Sequence, residues 1–185
     1  IYGNENSSHI CGSALMNGIG GSCDYERNGY ISVFTTPSVS KGGKISCIVP
    51  MCCHVDSTEH DVDVIVTEQG VADLRGKGPV RRAHEVIENC AHPEYRPLLR
   101  DYLAHIAPMG HEPQSMTAAL AFHDTILRKG DLRLTAFAEY LKYAIPLSYP
   151  HRPSHKIGWP MLFLLHKSSL HKDEPCCLGD PRLFS

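Results

Sequence analysis

Three short apolar runs in the first half of the chain have the pattern of β-strands. They are YISVFTT (30–36), KISCIVP (44–50) and VDVIVTE (62–68). The second run is apolar almost throughout, which is typical of a strand buried on both faces of a sheet. The pattern therefore predicts three strands of an α/β fold with a mainly parallel sheet.

Three longer segments after the last strand have the apolar spacing of α-helices. Pro79 and Pro97 suit positions at a helix start, where the missing N–H of proline costs nothing. The third segment, near 114–129, ends before Gly130, because glycine commonly follows the last helical residue. The predicted apolar stripes are Val80, Ala83, Ile87 and Cys90; Leu98, Tyr102 and Ile106; and Met116, Leu120, His123 and Leu127.

The chain changes character near residue 134. The residues after this point hold six of the 13 prolines, and the segment PLSYPHRPSHKIGWP (146–160) can continue neither a helix nor a central strand. We therefore predict one domain over 1–134. The remainder, 135–185, is predicted to be an unrelated, irregular and poorly ordered extension whose removal leaves the stability of the domain unchanged.

Composition and charge limit the classes of function. The chain has 185 residues, 42% hydrophobic content and a net charge of −2, so it can bury the core of one domain. The near-neutral charge and the lack of a long Lys/Arg run argue against binding to nucleic acid or to an anionic membrane. The apolar run WPMLFLL (159–165) is far shorter than the ~20 residues that a transmembrane helix needs.

The cysteines favour reduced thiols over a disulfide framework. There are eight, with two adjacent pairs and several inside apolar runs, so we expect mostly buried thiols and an intracellular compartment. They are Cys11, Cys23, Cys47, Cys52, Cys53, Cys90, Cys176 and Cys177.

A glycine cluster before the first predicted strand is a candidate anion site. The stretch NGIGG (17–21) contains Gly18, Gly20 and Gly21, whose lack of a Cβ allows backbone N–H groups to face an anion or a developing oxyanion. A plain tight turn explains the cluster equally well. The stretch matches neither a Walker loop nor a dinucleotide-binding fingerprint, so a nucleotide phosphate site is disfavoured.

Two charged residues stand next to predicted strands. Glu68 ends the strand VDVIV, and the carboxyl ends of strands are where open α/β sheets place ligand-binding groups. A helix cap or turn residue is an equal alternative for Glu68. Lys41 lies in SKGGK between two strands, where a solvated turn lysine is the simpler interpretation on local grounds.

The segment CCHVDSTEHD is rich in side chains that bind transition metals. Because Cys52, Cys53 and His54 are consecutive, their side chains alternate in direction if the preceding strand continues. No further close Cys/His pair is placed to complete a site. We therefore predict hydrogen bonding within a loop and no metal ion. The acidic and histidine side chains of the segment are His54, Asp56, Glu59, His60 and Asp61.

Long blocks of the sequence resemble one enzyme family. IYGNENSSHICGSALMNGIGG, GGKISCIVPMCCHVDSTEHDVDVIVTEQGVADLRG and VIENCAHPEYRPLL are similar to the C-terminal part of acetyl-CoA hydrolases and acetate (succinyl-CoA:acetate) CoA-transferases. The resemblance covers roughly 1–134, and the residues of these blocks are most similar to those of the fungal mitochondrial acetyl-CoA hydrolases. It implies the C-terminal portion of a CoA-transferase-like domain.

The resemblance implies covalent catalysis by a glutamate. In this family a carboxylate attacks an acyl-CoA thioester, an acyl-glutamyl anhydride forms, and a glutamyl-CoA thioester then passes CoA to acetate or to water. The implied partners are acetyl-CoA and acetate, or another short acyl-CoA and carboxylate. The resemblance also implies that coenzyme A is a substrate, that no cofactor is permanently bound and that the full-length enzyme can form a homo-oligomer. The implied location is mitochondrial, with the cytoplasm as the alternative.

The resemblance also assigns roles to residues of this chain. The backbone amide of Gly21 helps to bind the thioester oxygen as it becomes an oxyanion, with Gly18 and Gly20 in the same CoA-binding loop. Lys41 contacts CoA, and Glu68 is an active-site glutamate that is not the nucleophile.

The nucleophilic glutamate of the family matches no residue of this chain, because its motif lies upstream of the stretch that matches Ile1. We therefore expect no acetyl-CoA hydrolysis by this chain alone. The alternatives from other classes are a non-catalytic fragment that acts as a structural or pairing piece and, more weakly, a metal-binding module at 52–61.

Overall fold

The computed structural model describes residues 1–11 and 14–141. Most of the predicted extension, 142–185, therefore lies outside the described residues. The described strands are β1 (His9–Ile10), β2 (Ala14–Leu15), β3 (Val33–Thr35), β4 (Val39–Ser40), β5 (Ile45–Ser46), β6 (Val64–Thr67) and β7 (Gly70–Asp73). The described helices are α1 (Ser22–Asn28), α2 (Pro79–Cys90), α3 (Arg96–Ile106), α4 (Ala121–Lys129) and α5 (Phe137–Leu141), with 3-10 turns at Ala107–Met109 and Leu132–Leu134.

The structure confirms the α/β class, but the prediction of a mainly parallel sheet was wrong, since the largest sheet has one parallel and one antiparallel pair. Its order is β3-β6-β7, and β3 runs parallel to β6 with Val33 opposite Val64. Strand β7 returns antiparallel to β6, with Thr67 opposite Gly70, so only Glu68 and Gln69 form the turn. A two-residue turn is the shortest common link between strands, and it requires the second strand to run antiparallel.

The predicted strand 44–50 does not join this sheet. Only Ile45–Ser46 is a strand, and it pairs antiparallel with Val39–Ser40 in a separate two-stranded hairpin. The link contains three consecutive residues with positive φ, at 41–43, which reverse the chain direction tightly. The apolar character of this run has another cause, since Ile48 is buried in the core without ladder pairing.

Helix α2 covers the sheet, packing on β6 and β7, and it also packs on α3. Pro79 lies in its first turn as predicted, and Ala83, Ile87 and Cys90 are buried on the face toward the core. Val86 completes that face. Helix α3 likewise has proline in its first turn and buries Leu99, Tyr102, Leu103 and Ile106. None of the described helices combines the length and apolar character that a bilayer-spanning helix needs.

The third predicted helix is half as long as expected, and its predicted apolar stripe was wrong. Helix α4 begins at Ala121, while Met116 is 89% exposed and Leu127 is 70% exposed. Before α4 the chain turns around Ser115, whose hydroxyl accepts the N–H of Ala118 at 3.2 Å. Such a side-chain bond offers the backbone an alternative to helix formation. The helix ends before Gly130 as predicted.

The core continues past the predicted domain boundary at residue 134. Phe137 is only 2% exposed and stacks on Phe122 with ring centroids 5.4 Å apart. Its ring is also 5.3 Å from that of Tyr102. The division into 1–134 and 135–185 remains a prediction, and we place Phe137 with the domain.

Candidate functional site

The glycine loop 18–21 is exposed and leads directly into α1. Gly20 has a φ of 60°, a left-handed conformation that glycine adopts without strain. Gly21 has an ordinary φ of −97°. A Cβ added at Gly18 or Gly20 would meet nothing within 4 Å, so no other part of the described chain packs against that side of the loop. The conformation at Gly20, rather than close packing, is what requires glycine here.

Glu68 lies in the β6–β7 turn, and its carboxylate holds the segment after β3. Both the backbone N–H and the hydroxyl of Ser38 donate to it, the former at 2.8 Å, and the side-chain amide of Gln69 donates at 3.1 Å. These hydrogen bonds, led by that of the Ser38 hydroxyl, lower the pKa of Glu68 to about 2. Glu68 is therefore an ionised anchor at neutral pH.

Lys41 lies at the tip of the β4–β5 hairpin and is exposed. Its φ of 48° is uncommon for a residue with a Cβ and costs about 1–2 kcal/mol. Its ammonium group acts on the thiol of Cys11, where it opposes the rise in pKa that burial causes. Lys41 thus faces the same space as Cys11.

That space is a cavity of about 690 Å³. Its apolar wall includes Phe34, Ile48, Ile65, Phe122 and Ile126. Lys41 lines it, as does Asn17 at the start of the glycine loop, whereas the loop glycines and Glu68 are not among its lining residues. The structure therefore brings Lys41 to a cavity and places the other predicted site residues outside its walls.

Glu5 also lines the cavity and is a residue that the sequence interpretation missed. Its side chain is 4% exposed, and neither carboxyl oxygen has a hydrogen-bond partner among the described residues. Burial raises the pKa of Glu5, and the nearby carboxylates of Glu26 and Asp56 raise it further, while the nearby side chains of Ser7 and Ser57 oppose the rise without cancelling it. Nothing in the pattern NEN signals burial, since three polar residues in a row usually indicate an exposed loop.

In the CCHVDSTEHD segment, Asp56 is the side chain that makes the most hydrogen bonds to the N-terminal segment. Its carboxylate accepts the backbone N–H groups of Ser7 and Ser8 at 2.8 and 2.9 Å, and the Ser8 hydroxyl donates to both of its oxygens. Although burial opposes ionisation, these bonds lower the pKa of Asp56 overall. His54 lies 3.3 Å from this carboxylate, and its ring is 3.9 Å from that of His9.

Potential ligand atoms of His9, His54 and Asp56 lie within 4.8 Å of one another. The Asp56 oxygens are already used by serine donors, and Nδ1 of His9 lies within hydrogen-bond distance of the Ser8 hydroxyl, at 2.7 Å. We propose no metal ion at this position.

Residues 1–103 match the family model of the acetyl-CoA hydrolase/transferase C-terminal domain. The chain belongs to this family.

Curated relatives in the family are similar over about 70% of the chain. A propanoyl-CoA:succinate CoA transferase from Escherichia coli (strain K12) is 53% identical over 132 residues, which are 71% of this chain and 27% of the relative. A succinyl-CoA:acetate CoA-transferase from Clostridium kluyveri is 52% identical over 135 residues, 72% of this chain and 25% of the relative.

An acetyl-CoA hydrolase from Schizosaccharomyces pombe is 49% identical over 146 residues, 72% of this chain and 28% of the relative. The chain thus spans about a quarter of the length of the curated relatives that it matches.

In this acetyl-CoA hydrolase/transferase C-terminal domain, Glu5 is expected to make stability depend on pH. Because its pKa is raised in the folded state, folding takes up a proton between the ordinary and the raised value, and stability falls as pH rises through that window. We expect Glu5→Gln to raise the thermal midpoint by several degrees at pH 8 and to change it little at pH 4.

Thermal unfolding of wild type and variant from pH 4 to 8 would measure this effect. Glu112→Gln, at an exposed position, is the matched control and should leave the pH slope unchanged. An identical slope for Glu5→Gln and wild type would show that Glu5 does not titrate with folding.

Proposed function

We propose that this chain forms part of the active site of an enzyme that cleaves acetyl-CoA or moves CoA between an acyl-CoA and a carboxylate. The observation that carries this proposal is the match of residues 1–103 to the acetyl-CoA hydrolase/transferase C-terminal domain. The names of the relatives, acetyl-CoA hydrolase and succinyl-CoA:acetate CoA-transferase, support both outcomes of one mechanism. In both, a glutamyl-CoA thioester passes CoA to water or to acetate.

We assign the oxyanion contact to the backbone N–H of Gly21, within the loop that also contains Gly18 and Gly20. The exposure of the loop and the empty space beside Gly18 and Gly20 support an approach by a ligand. As the thioester carbonyl carbon is attacked, negative charge develops on its oxygen, and a fixed N–H donor stabilises that charge. The attacking glutamate belongs to a motif that matches no residue of this chain.

We assign Lys41 to the CoA moiety and Glu68 to the shape of the site. An exposed ammonium group at the edge of a cavity can contact a phosphate of CoA while an apolar group enters the cavity. Glu68 is held as a carboxylate by Ser38, so its role here is to position the backbone rather than to transfer a proton.

The substrates that we propose are acetyl-CoA and acetate, or another short acyl-CoA and carboxylate, with CoA as a substrate and no permanently bound cofactor. The full-length enzyme is proposed to be a mitochondrial homo-oligomer, with the cytoplasm as the alternative location. Fungal acetyl-CoA hydrolases among the relatives support acetyl-CoA as the substrate. The net charge of −2 supports an enzyme that binds neither nucleic acid nor an anionic membrane.

A chimeric enzyme tests this function. The matching C-terminal quarter of the S. pombe acetyl-CoA hydrolase is replaced by residues 1–141, and released CoA is measured by chromatography. We expect hydrolysis of acetyl-CoA, and we expect Lys41→Ala to raise KM about tenfold with a smaller change in kcat. Such a change corresponds to losing roughly 1.4 kcal/mol of charge-assisted hydrogen bonding.

Lys44→Ala is the matched control, because Lys44 is exposed on the same hairpin and does not line the cavity. An equal KM for the two variants would remove Lys41 from the CoA site. A folded chimera without hydrolysis would favour the alternative function, a non-catalytic structural or pairing piece.

A further inference from the structure

We propose that Cys53 and Cys11 form a thiol pair that reacts with small organic disulfides in the 690 Å³ cavity. This modification site shares the cavity at whose edge Lys41 is assigned to CoA, but its reaction does not depend on the CoA chemistry proposed above. The oxidation of small thiols to disulfides would thereby change the chemical state of the cysteines that line the cavity.

The cavity is unusually rich in cysteine. Cys11, Cys47, Cys52 and Cys53 all line it, and all are free thiols. The described chain holds two further cysteines, Cys23 and Cys90, and neither lines this space. A volume of several hundred cubic ångströms accommodates a small-molecule disulfide beside these sulfur atoms.

Hydrogen bonding distinguishes Cys53 as the attacking thiol. The side-chain amide of Asn6 donates to Cys53 Sγ at 3.4 Å, and the Sγ–H of Cys53 reaches the carbonyl of His9 only at 4.0 Å. The Sγ–H of Cys52 instead donates to the carbonyl of Asn4 at 3.1 Å, and burial raises the pKa of this thiol. Burial also raises the pKa of Cys47, and the charge of Glu68 adds to that effect.

Cys11 is placed to act second, because Cys53 Sγ lies 4.0 Å from the carbonyl oxygen of His9, two residues before Cys11, and both thiols line the cavity. Burial raises the pKa of Cys11, negative charge on Cys53 raises it further, and Lys41 lowers it. Once Cys53 is joined to another sulfur it carries no charge, so the contribution that disfavours a Cys11 thiolate disappears. The charge of Lys41 then lowers the pKa of Cys11 against the effect of burial alone. The first reaction therefore promotes the second.

The two steps are ordinary thiol–disulfide exchange. The Cys53 thiolate attacks one sulfur of a disulfide RSSR, forming the mixed disulfide Cys53–SR and releasing RS⁻. The Cys11 thiolate then attacks Cys53 Sγ, forming a Cys11–Cys53 disulfide and releasing the second RS⁻. RSSR is the oxidant: it gains two electrons, and the two cysteines lose two electrons and two protons.

The experiment treats the reduced 185-residue chain with glutathione disulfide and follows intact mass and peptide maps over time. Cys176 and Cys177 are replaced by serine in every variant, so that the signal comes from the described cysteines. We expect a transient adduct of one glutathionyl group on Cys53, followed by its loss and the Cys11–Cys53 disulfide. In Cys11→Ser the mixed disulfide on Cys53 should accumulate, because no second thiol displaces it.

Cys53→Ser should lower the initial rate about tenfold or more, whereas Cys23→Ser should leave it unchanged. Cys23 is the matched control because it is also half-buried but lies outside the cavity. Repeating the reaction in denaturant checks that the selectivity requires the fold, since all sites should then react alike. Adducts in the native chain that form on Cys23 as fast as on Cys53, or an unchanged rate for Cys53→Ser, would overturn the proposal.

Discussion

Gly20→Val in the hydrolase chimera is expected to lower acetyl-CoA turnover by about 10²–10³-fold, the usual effect of losing one oxyanion donor. Gly20 has a φ of 60°, and a β-branched residue is strongly disfavoured in that conformation. The backbone at residue 20 must therefore rotate. Because the peptide unit that joins residues 20 and 21 carries the N–H of Gly21, this rotation turns the proposed donor away from the thioester oxygen.

The measurement is kcat for acetyl-CoA together with the affinity for CoA. Gly78→Val is the matched control, because Gly78 has an extended φ of −71° and a Cβ there meets nothing within 4 Å. This control should retain the activity of the chimera. If Gly20→Val were as active as Gly78→Val, the amide of Gly21 could not be the oxyanion donor.

Phe137→Ala is expected to reduce the free energy of unfolding by about 3–5 kcal/mol, the range for removing a buried aromatic ring. The ring is almost fully buried and packs on both Phe122 and Tyr102, so its removal leaves a cavity between two helices and the start of α5. Urea denaturation of the 185-residue chain, followed by circular dichroism, measures the change.

Leu134→Ala provides the comparison, since Leu134 precedes Phe137 by one short turn and is 55% exposed. It should change stability by less than about 1 kcal/mol. The same contrast applies to truncation, which should destabilise the domain when it ends at 134 and spare it when it ends at 141. Equal stability of both truncated chains would return the domain boundary to the position predicted from composition.

The sequence pattern predicted the helices whose signals lie within a single segment of the chain. Helices α2 and α3 follow from proline in the first turn and an apolar face at helical spacing, and both features act within one segment. The prediction of a helix before α4 was wrong because the hydroxyl of Ser115 accepts the backbone N–H of Ala118, which the apolar spacing does not reveal. The prediction of a strand over 44–50 was wrong beyond Ile45–Ser46. Residues buried in the core without strand pairing have the same apolar pattern as a central strand.

The site shows a similar limit. The glycine loop, Lys41 and Glu68 could be selected from the sequence because special backbone positions and strand ends have recognisable residue types. The burial of Glu5 could not be predicted from the sequence. It depends on a segment more than fifty residues away, which approaches Glu5 through the backbone pairing of Glu5 with Ser57. Likewise, cysteines spread over residues 11–53 are brought to one cavity only by the tertiary fold.

The bond between Glu68 and Ser38 has a mechanical consequence. Ser38 is the residue immediately before the β4–β5 hairpin, and Glu68 belongs to the two-residue turn between β6 and β7. Two hydrogen bonds from Ser38 to the Glu68 carboxylate join the hairpin to the sheet at this point. The hairpin therefore cannot shift along the edge of the sheet without breaking both of them. The position of Lys41 at the hairpin tip is thereby fixed relative to the sheet, in addition to the packing of Val39 and Ile45 on the core and the hydrogen bond from the Tyr95 hydroxyl to the Gly43 carbonyl at 2.7 Å.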